Sequence, residues 1–238
     1  MVTGLGLIAG TSILVLGPSD EHPGGHASRI ARAVEVTRSQ GTAGVRIEIS
    51  IRSSDGGVSS EVTTRGSGEV DLQGRRWQVQ LQREEGGRPG IEVPAEWLGI
   101  RRATYARHPS GRWVPAGRSG TRVSTGFDPW AYLRYVGYAD AIELMGDART
   151  TGDATTRYRS TIDPRVLEDE AALATADAVG ARASVPTVDI WVDGTDRIRL
   201  VRLELNIEGR DPPGVETQIV MSMRLFAFGE PVTIESPP

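Results

Sequence analysis

Two histidines near the N-terminus have the spacing of a pair of metal ligands. His22 and His26 stand four residues apart beside Asp20 and Glu21, and two imidazoles at that spacing on one helix face could bind a metal ion. The segment between them, 23–25, reads Pro-Gly-Gly, which interrupts a helix and is typical of a flexible linker. We therefore predict that these histidines bind no metal.

The other polar groups lack the arrangement of a catalytic site. Asp140, Glu143 and Asp147 would share a helix face and could bind a cation, but a solvated acidic face is the simpler interpretation. His108 precedes a proline and has no serine or cysteine partner at a recognisable spacing. The chain also has no G-x-S-x-G sequence, phosphate-binding loop or dinucleotide-binding fingerprint. The prediction is a protein that is not an enzyme and has no cofactor and no metal.

The composition excludes further classes of function. The 238 residues include no cysteine, so disulfides, thiolate metal sites and a cysteine nucleophile are impossible. The net charge is −4, and the 27 basic residues, all arginine, are scattered along the chain. Because phosphate-backbone binding needs clustered positive charge, we expect no nucleic-acid partner. A chain of this length has room for one large domain with a substantial apolar core.

We interpret residues 1–20 as a signal-like or membrane-anchor segment. The run from Gly4 to Gly17 is uncharged and largely apolar; it is shorter than the about 20 residues of a membrane-spanning helix but as long as the apolar region of a signal peptide. A basic start and a clear cleavage site are missing, and a short apolar run is also compatible with a buried strand. Residues 21–26 are expected to be a linker and residues 27–238 a single domain.

Most of that domain is predicted to be β-strand, because apolar and polar residues alternate. The clearest run is Val45 to Ile51, with valine or isoleucine at every second position. Gly66 and Gly68 stand on the apolar side of the next run and indicate a bend or a close approach. A change of phase between Leu200 and Leu203 indicates a β-bulge. Alternating runs also occur at 62–72, 76–82, 188–192, 197–207 and 217–228.

Three helices are predicted. The first, 27–39, has apolar residues at three- and four-residue spacing. The second begins at Asp128-Pro129, an N-cap followed by proline at the first helical position, and is expected to continue through Ile142. The third begins at Asp163-Pro164 and runs to Gly180.

The polar stretch "TTGDATTRYRSTID", residues 150–163, also alternates as a strand. One of its faces is mildly apolar and the other is charged. We expect Tyr158 and Ile162 to line the inner side of a sheet, and Arg157 and Arg159 to lie in water.

These elements predict an α+β, mainly β fold with a large antiparallel sheet. A sheet of this size tends to curl, and its apolar face must be covered. Three helices are few for that purpose, so a curled sheet partly closed by helices would leave an apolar hollow of the kind that holds hydrophobic ligands. A well-packed core with extra cover from the irregular middle of the chain is equally compatible with the pattern.

The order of motifs resembles a known family. "YLRYVGYADAIELMGD" and "TGDATTRYRSTID" are followed by "VPTVDIWVDGTDRIRLVRLEL" and then by "TQIVMSMRLFAFGEPVTIESPP". In this order they are similar to the LolA/LppX/LprG-like lipoproteins of actinobacteria, a group with LprA- and LprF-like members. The resemblance covers residues 27–238 by element order, and its motifs are concentrated in roughly the last 90 residues.

The resemblance implies a LolA/LppX-like half-barrel, a large curled antiparallel sheet with helices across its concave face. Members of the family are exported and membrane-attached, and some carry acyl chains or glycolipids across the envelope. Its lipid-anchored members have a cysteine directly after the apolar segment, and this chain has none. The missing cysteine argues against covalent lipidation and leaves three alternatives: the segment is an uncleaved anchor, the protein is released, or its true start lies upstream.

We therefore predict an extracytoplasmic protein, associated with the cell membrane through its N-terminal segment or secreted, that binds and carries lipids or glycolipids. Acyl chains would contact inward apolar side chains, for which ordinary core packing is the alternative role. The alternative function is an envelope sensor or protein-interaction module with the same fold, an envelope protein as partner and no lipid ligand. The candidate lipid-contacting residues are Ile47, Ile49, Val62, Val79, Leu81, Leu133, Tyr158, Ile190, Leu203, Leu205, Met221 and Met223.

Overall fold

The computed structural model describes residues 23–55, 57–85, 88–89, 96–101, 103–107, 110–116, 128–163, 182–209 and 215–237. These contain two helices, α1 (Pro23–Ser39) and α2 (Pro129–Gly137). The described strands, in chain order, are β1 (Thr42–Asp55), β2 (Val58–Asp71), β3 (Arg76–Glu85), β4 (Arg88–Pro89), β5 (Glu96–Ile100), β6 (Ala103–Arg107), β7 (Trp113–Pro115), β8 (Ala139–Thr150), β9 (Asp153–Ile162), β10 (Arg182–Ala183), β11 (Thr187–Asp193), β12 (Ile198–Glu208) and β13 (Glu216–Phe226).

The thirteen described strands form one antiparallel sheet with the order β7-β6-β5-β3-β2-β1-β13-β12-β11-β9-β8. The short strands β4 and β10 pair with β3 and β12. From β1 the chain moves outwards strand by strand to β7, crosses to β8 at the opposite edge, and returns inwards to β13, which pairs with β1. Helix α2 lies in the crossing segment between the two edges. The fold is the predicted one, an open half-barrel.

Alternation along the strands gives the sheet one apolar and one polar face. On β1, Val45, Ile47 and Ile49 are buried, whereas Arg46 and Glu48 are exposed. The neighbouring strands alternate in the same way, and residues that are paired across antiparallel strands point to the same face of the sheet. Apolar residues therefore lie opposite one another. We call the apolar side the inner face and the polar side the outer face.

Helix α1 packs on the inner face through one stripe of side chains. Ile30, Ala33, Val34 and Thr37 are all buried, at the spacing of one helix face. Its main contacts are with α2, β8 and β12. The hydroxyl of Thr37 accepts a hydrogen bond of 2.8 Å from the backbone N–H of Ile198, which fixes the helix to the start of β12. The two described helices thus cover mainly the part of the inner face formed by β8 to β12.

Helix α2 begins as the sequence predicts. The Asp128 carboxylate accepts a hydrogen bond of 2.9 Å from the N–H of Trp130, and Pro129 occupies the first helical position, where its missing N–H leaves no hydrogen bond unmade. Tyr132, Leu133 and other side chains of this short helix are fully buried. Burial of each large side chain stabilises the fold by roughly 1.5–3 kcal/mol.

Gly66 and Gly68 on the inner face of β2 are close-approach positions, as predicted. A Cβ atom at Gly66 would lie 2.6 Å from Val79 Cγ1, and one at Gly68 would overlap the backbone carbonyl of Gln78. Both contacts are impossible for a larger residue without separation of β2 and β3. The glycines therefore let the two strands bend together as the sheet curls.

Two predictions about the helices are wrong. The linker expected over 21–26 overlaps α1, which begins at Pro23, because proline is tolerated in the first turn and glycine can adopt helical angles. The helix expected to continue from Asp128 through Ile142 ends at Gly137, and Ile142 lies in β8. Pairing with β9 outweighs the helix propensity of this segment.

The predicted β-bulge exists but lies nearer the start of β12. The register with β11 shifts where Val192 pairs with Ile198 and Trp191 pairs with Leu200, so Arg199 is the extra residue. Leu200 consequently faces outwards with Arg202.

The predicted anchor segment over 1–20, His22, His108 and the helix expected from Pro164 to Gly180 lie outside the described residues. In the described part of the chain, the helices are too short or too polar to span a bilayer.

Candidate functional site

The predicted lipid-contacting residues lie on one connected surface. Eleven of the twelve belong to the sheet and share its inner face, and Leu133 of α2 packs in the same core. All except Val62, which is half-buried, are buried. The structure thus brings the predicted set together.

Cross-strand register arranges the inner face in rows that run perpendicular to the strands. The first row is the most buried: Ile47, Met223, Ile190 and Tyr158 are at most 2% exposed. Its members are successive cross-strand neighbours from β3 to β9: Leu81, Gly66, Ile47, Met223, Val201, Ile190 and Tyr158.

Exposure rises in the next two rows towards one end of the sheet. In the second row Ile49 is 7% and Met221 9% exposed. In the third row Ile51 reaches 38%, and its neighbour Ile219 is 9% exposed. We call the third row, which consists of Val62, Ile51, Ile219 and Leu205, the open end.

A row of hydroxyl groups follows the open end. Ser53 pairs with Thr217 in register, and their hydroxyl oxygens lie 3.1 Å apart. Ser60 is the neighbour of Ser53 on β2. Along β1, the inner face therefore changes from the fully buried Ile47 through the partly exposed Ile51 to the hydroxyl of Ser53 over six residues, or about 20 Å at the strand rise of about 3.4 Å per residue.

The sequence-based set includes two of the four residues of the open end, Val62 and Leu205, and omits the other two. Ile51 and Ile219 continue the alternation by two positions beyond Ile49 and Met221, and this continuation is a signal that could have found them. Their exposure is not visible in sequence, because it depends on how far the covering elements reach.

A separate hollow of about 800 Å³ lies on the outer face, where its lining includes Arg46, Arg65 and Arg224. Glu48 in the same lining is paired with Arg65 at 2.9 Å. The lining is mostly charged or hydrogen-bonding, so this hollow does not provide the apolar surroundings that an acyl chain requires, despite its volume.

The outer face is held by a buried carboxylate between two arginines. Asp189 accepts hydrogen bonds from Arg157 at 3.3 and 2.8 Å and from Arg159 at 2.9 and 3.0 Å. Burial opposes ionisation of Asp189 most strongly, but the hydrogen bonds and charges of the two guanidinium groups together outweigh it and hold its pKa below the usual value. Arg157 and Arg159 lie on the outer face, as predicted, with side chains 31% and 43% exposed, and both are also held by this carboxylate, which the sequence did not predict.

The residues considered for metal binding that the structure describes are not assembled into a site. Asp140, Glu143 and Asp147 lie on β8, not on a helix, and all three are exposed. His26 is buried in α1, with its ring centroid 5.8 Å from that of Tyr158. Across the described ranges, no three or more histidine, aspartate or glutamate side chains are grouped so as to hold a metal ion.

Comparison with solved structures identifies the fold. The lipoprotein LppX from Mycobacterium tuberculosis is similar to 88% of this chain over 97% of its own length, with a TM-score of 0.50 and 12% sequence identity. LprF from Mycobacterium bovis matches 89% of this chain and 96% of its own, at a TM-score of 0.48 and 16% identity. A LolA superfamily protein from Nitrosomonas europaea matches 83% of this chain and 92% of its own, at a TM-score of 0.33 and 11% identity.

The similarity to LppX shows that this chain has the LppX-type half-barrel fold, which confirms the resemblance at the level of fold. In sequence, the chain matches no family profile and no curated protein.

Proposed function

We propose that this protein binds lipids or glycolipids and carries them outside the cytoplasm without catalysing a reaction. Acyl chains lie against the inner face from its open end, and the polar headgroup stays beside the hydroxyl row. The observation that carries the proposal is the rise in exposure along β1, from 2% at Ile47 to 38% at Ile51, in a row whose members on β2, β1, β13 and β12 are apolar. The lipoprotein with the same fold supports an extracytoplasmic location, and association with the membrane through residues 1–20 is part of the proposal.

The open end has the chemistry that binding of an acyl chain requires. Each methylene that leaves water contributes about 0.8 kcal/mol, so about ten methylenes contribute up to about 8 kcal/mol. This corresponds to a dissociation constant near 1 μM before the costs of ordering are subtracted. Met221 beside Ile219 has an unbranched, flexible side chain that can adapt to chains of different shape.

The test is native mass spectrometry of the full chain purified from a membrane-containing host, followed by organic extraction. We expect a stoichiometric lipid, and loss of that lipid in folded Met221→Trp and Leu205→Trp variants, because indole rings there fill the space of an acyl chain. Ile51→Trp is a second blocking variant that the fold tolerates more easily, since Ile51 is already 38% exposed. Val220→Trp is the matched control, because Val220 is the neighbour of Met221 on β13 but faces outwards.

Each outcome decides a different point. Equal lipid content in the control and in the folded inner-face variants would exclude the open end as the binding surface. A protein that remains free of lipid after incubation with acylated lipids would contradict lipid carriage altogether.

The second candidate is an envelope sensor or protein-interaction module with the same fold. The observation in its favour is the first row of the inner face, where Met223, Ile190 and Tyr158 are fully buried. A core that is closed without a ligand is what such a module requires. The lipid-free protein in the preceding experiment would favour this candidate.

A further inference from the structure

A second hollow, of about 650 Å³, lies at the opposite end of the inner face and is rich in arginine. Trp77, one of its lining residues, is linked by register through Val70 to Ala43 at the start of β1. Ala43 is eight residues from Ile51, or about 27 Å at the rise of a strand. The hollow is therefore distinct from the open end.

The charge of this hollow is strongly positive although the whole chain carries a net charge of −4. Arg38, Arg75, Arg101 and Arg134 all line it, and Asp128 is the one acidic residue among its described lining residues. The Asp128 carboxylate already accepts the hydrogen bond that caps α2. Positive charge gathered around one hollow from four separate segments has no role in covering the core.

Two of these arginines have no carboxylate partner within the part of the chain that the structure describes. Arg75 and Arg101 make no ion pair with any described residue. Arg38 is paired with Glu35 at 3.2 Å, but the Glu35 side chain is 73% exposed, and such surface pairs contribute little. The hollow therefore has guanidinium groups that can bind an added anion.

The indole of Trp130 orients two of the cations. The guanidinium carbon of Arg38 lies 5.6 Å from the ring centroid, and that of Arg75 lies 5.3 Å from it. Cation–π contact of this kind holds a guanidinium through the aromatic face and leaves N–H donors for another acceptor. Trp130 also stands in the first turn of α2, and the positive end of the helix dipole adds to the attraction for an anion.

The backbone at Arg75 and Arg101 is strained. Their φ angles are 52° and 56°, in the left-handed region that glycine and asparagine adopt more easily than arginine. A hydrogen bond of 2.8 Å from the N–H of Arg101 to the carbonyl of Arg75 joins the two turns. Strained backbone of this kind persists where the surrounding structure holds it in place, and it is found preferentially at functional sites.

We propose that this hollow binds a phosphate group, with Arg75 and Arg101 as its principal ligands and Arg38 and Arg134 around it. Arginine forks match the geometry of phosphate oxygens and give charge-assisted hydrogen bonds. The volume of about 650 Å³ is larger than one phosphate, and the side chains of Trp77 and Trp130 provide contact area for an organic part. The ligand class is therefore a phosphate ester, either a soluble molecule or the headgroup of a lipid. This inference goes beyond the proposed function and does not depend on it.

The experiment is calorimetric titration of the full chain at low ionic strength with inorganic phosphate, glycerol 3-phosphate and vesicles. The vesicles contain phosphatidylcholine with or without dioleoyl phosphatidic acid. The variant Arg75→Asn/Arg101→Asn removes both charges and suits the left-handed backbone, and Arg101→Asn alone is the milder variant. Arg202→Gln is the control with a single charge removed from the outer face, where Arg202 is exposed.

We expect wild type and Arg202→Gln to bind phosphate equally within about twofold and the double asparagine variant to bind at least tenfold more weakly. Binding of glycerol 3-phosphate but not of the vesicles identifies a soluble ester. Binding of phosphatidic acid vesicles that is lost in the double variant identifies a lipid headgroup. No binding by wild type, or equal binding by wild type and folded asparagine variants, overturns the proposal. None of these outcomes changes the lipid content measured for the open end, so the two proposals fail separately.

Discussion

Replacement of Asp189 by asparagine tests whether the outer-face ion pairs hold the sheet. The Asp189 side chain is 8% exposed, and it binds Arg159 on β9 and Arg157 two residues before it on the same strand. Asparagine keeps the shape of the side chain but removes the charge. The substitution therefore leaves two guanidinium groups close together without a counter-ion.

The loss of unfolding free energy expected for Asp189→Asn lies between the loss from breaking a buried ion pair and the loss from breaking a surface ion pair. Breaking a fully buried pair costs about 3–5 kcal/mol, whereas exposed pairs contribute about 0–1 kcal/mol. The side chains of Arg157 and Arg159 are 31% and 43% exposed, so water partly replaces the lost carboxylate. We expect Asp189→Asn to lower the free energy of unfolding by about 2 kcal/mol at pH 7.

The sign of the pH dependence follows from the lowered pKa of Asp189. A carboxylate whose folded-state pKa lies below its unfolded-state value of about 3.9 stabilises the fold fully above that value. Its contribution is lost as the pH falls through the folded-state pKa. The difference in unfolding free energy between wild type and Asp189→Asn should therefore be constant from pH 7 to about pH 5 and shrink below about pH 4.

Urea unfolding of both proteins between pH 7 and pH 3 measures this difference. Asp153→Asn is the matched control, because Asp153 also pairs with an arginine, Arg199, but is 48% exposed. It should cost less than about 1 kcal/mol. A cost for Asp189→Asn as small as that of the control, or a difference that is unchanged at pH 3, would refute the assignment of Asp189 as a stabilising centre of the outer face.

Two further substitutions test the backbone of the sheet by the same urea unfolding at pH 7. Gly68→Ala should lower the free energy of unfolding by about 2–3 kcal/mol, because its Cβ would overlap the carbonyl of Gln78. Gly194→Ala is the control and should have little effect, because there is open space around the new atom. Equal losses of unfolding free energy in the two variants would contradict the reasoning. Arg101→Gly should raise the free energy of unfolding by about 0.5–1 kcal/mol. Glycine relieves the left-handed φ, which stabilises the folded state by about 1–2 kcal/mol, but it also increases the conformational entropy of the unfolded chain, which costs about 0.5–1 kcal/mol. A destabilised Arg101→Gly would argue against strain at that turn.

The sequence predicts the faces of the strands well because the signal is local. Alternation assigns Ile47 and Met223 to the inner face without knowledge of their partners, since successive side chains of a strand point to opposite sides. The start of α2 is equally local, because Asp128 and Pro129 specify an N-terminus by themselves. The pairing of β1 with β13 is not local. The sequence does not predict it.

The errors arise where tertiary contacts outweigh local preference. The segment "YADAIELMGDA" contains good helix formers, yet after Gly137 it forms the edge strand β8, because it pairs with β9 from Ala139 to Thr150 in a ladder with two register shifts. The arginine-lined hollow has no sequence signal of any kind. Arg38, Arg75, Arg101 and Arg134 come from four segments about 30 residues apart, so scattered charge in the sequence becomes clustered charge only through the fold.

The outer-face ion pairs also bear on how the open end can receive a ligand. Arg52 on β1 pairs with Glu61 on β2 at 3.2 Å, directly beside the third-row neighbours Ile51 and Val62 but on the opposite face of the sheet. Such an exposed pair adds about 0–1 kcal/mol to the backbone ladder that holds the two strands in register. The side chains of the open end are then not needed to hold the strands together. In the proposed function they would exchange contacts with one another for contacts with an acyl chain while the sheet keeps its register, and a rigid sheet with an adaptable inner row is what repeated loading and release of a lipid would require.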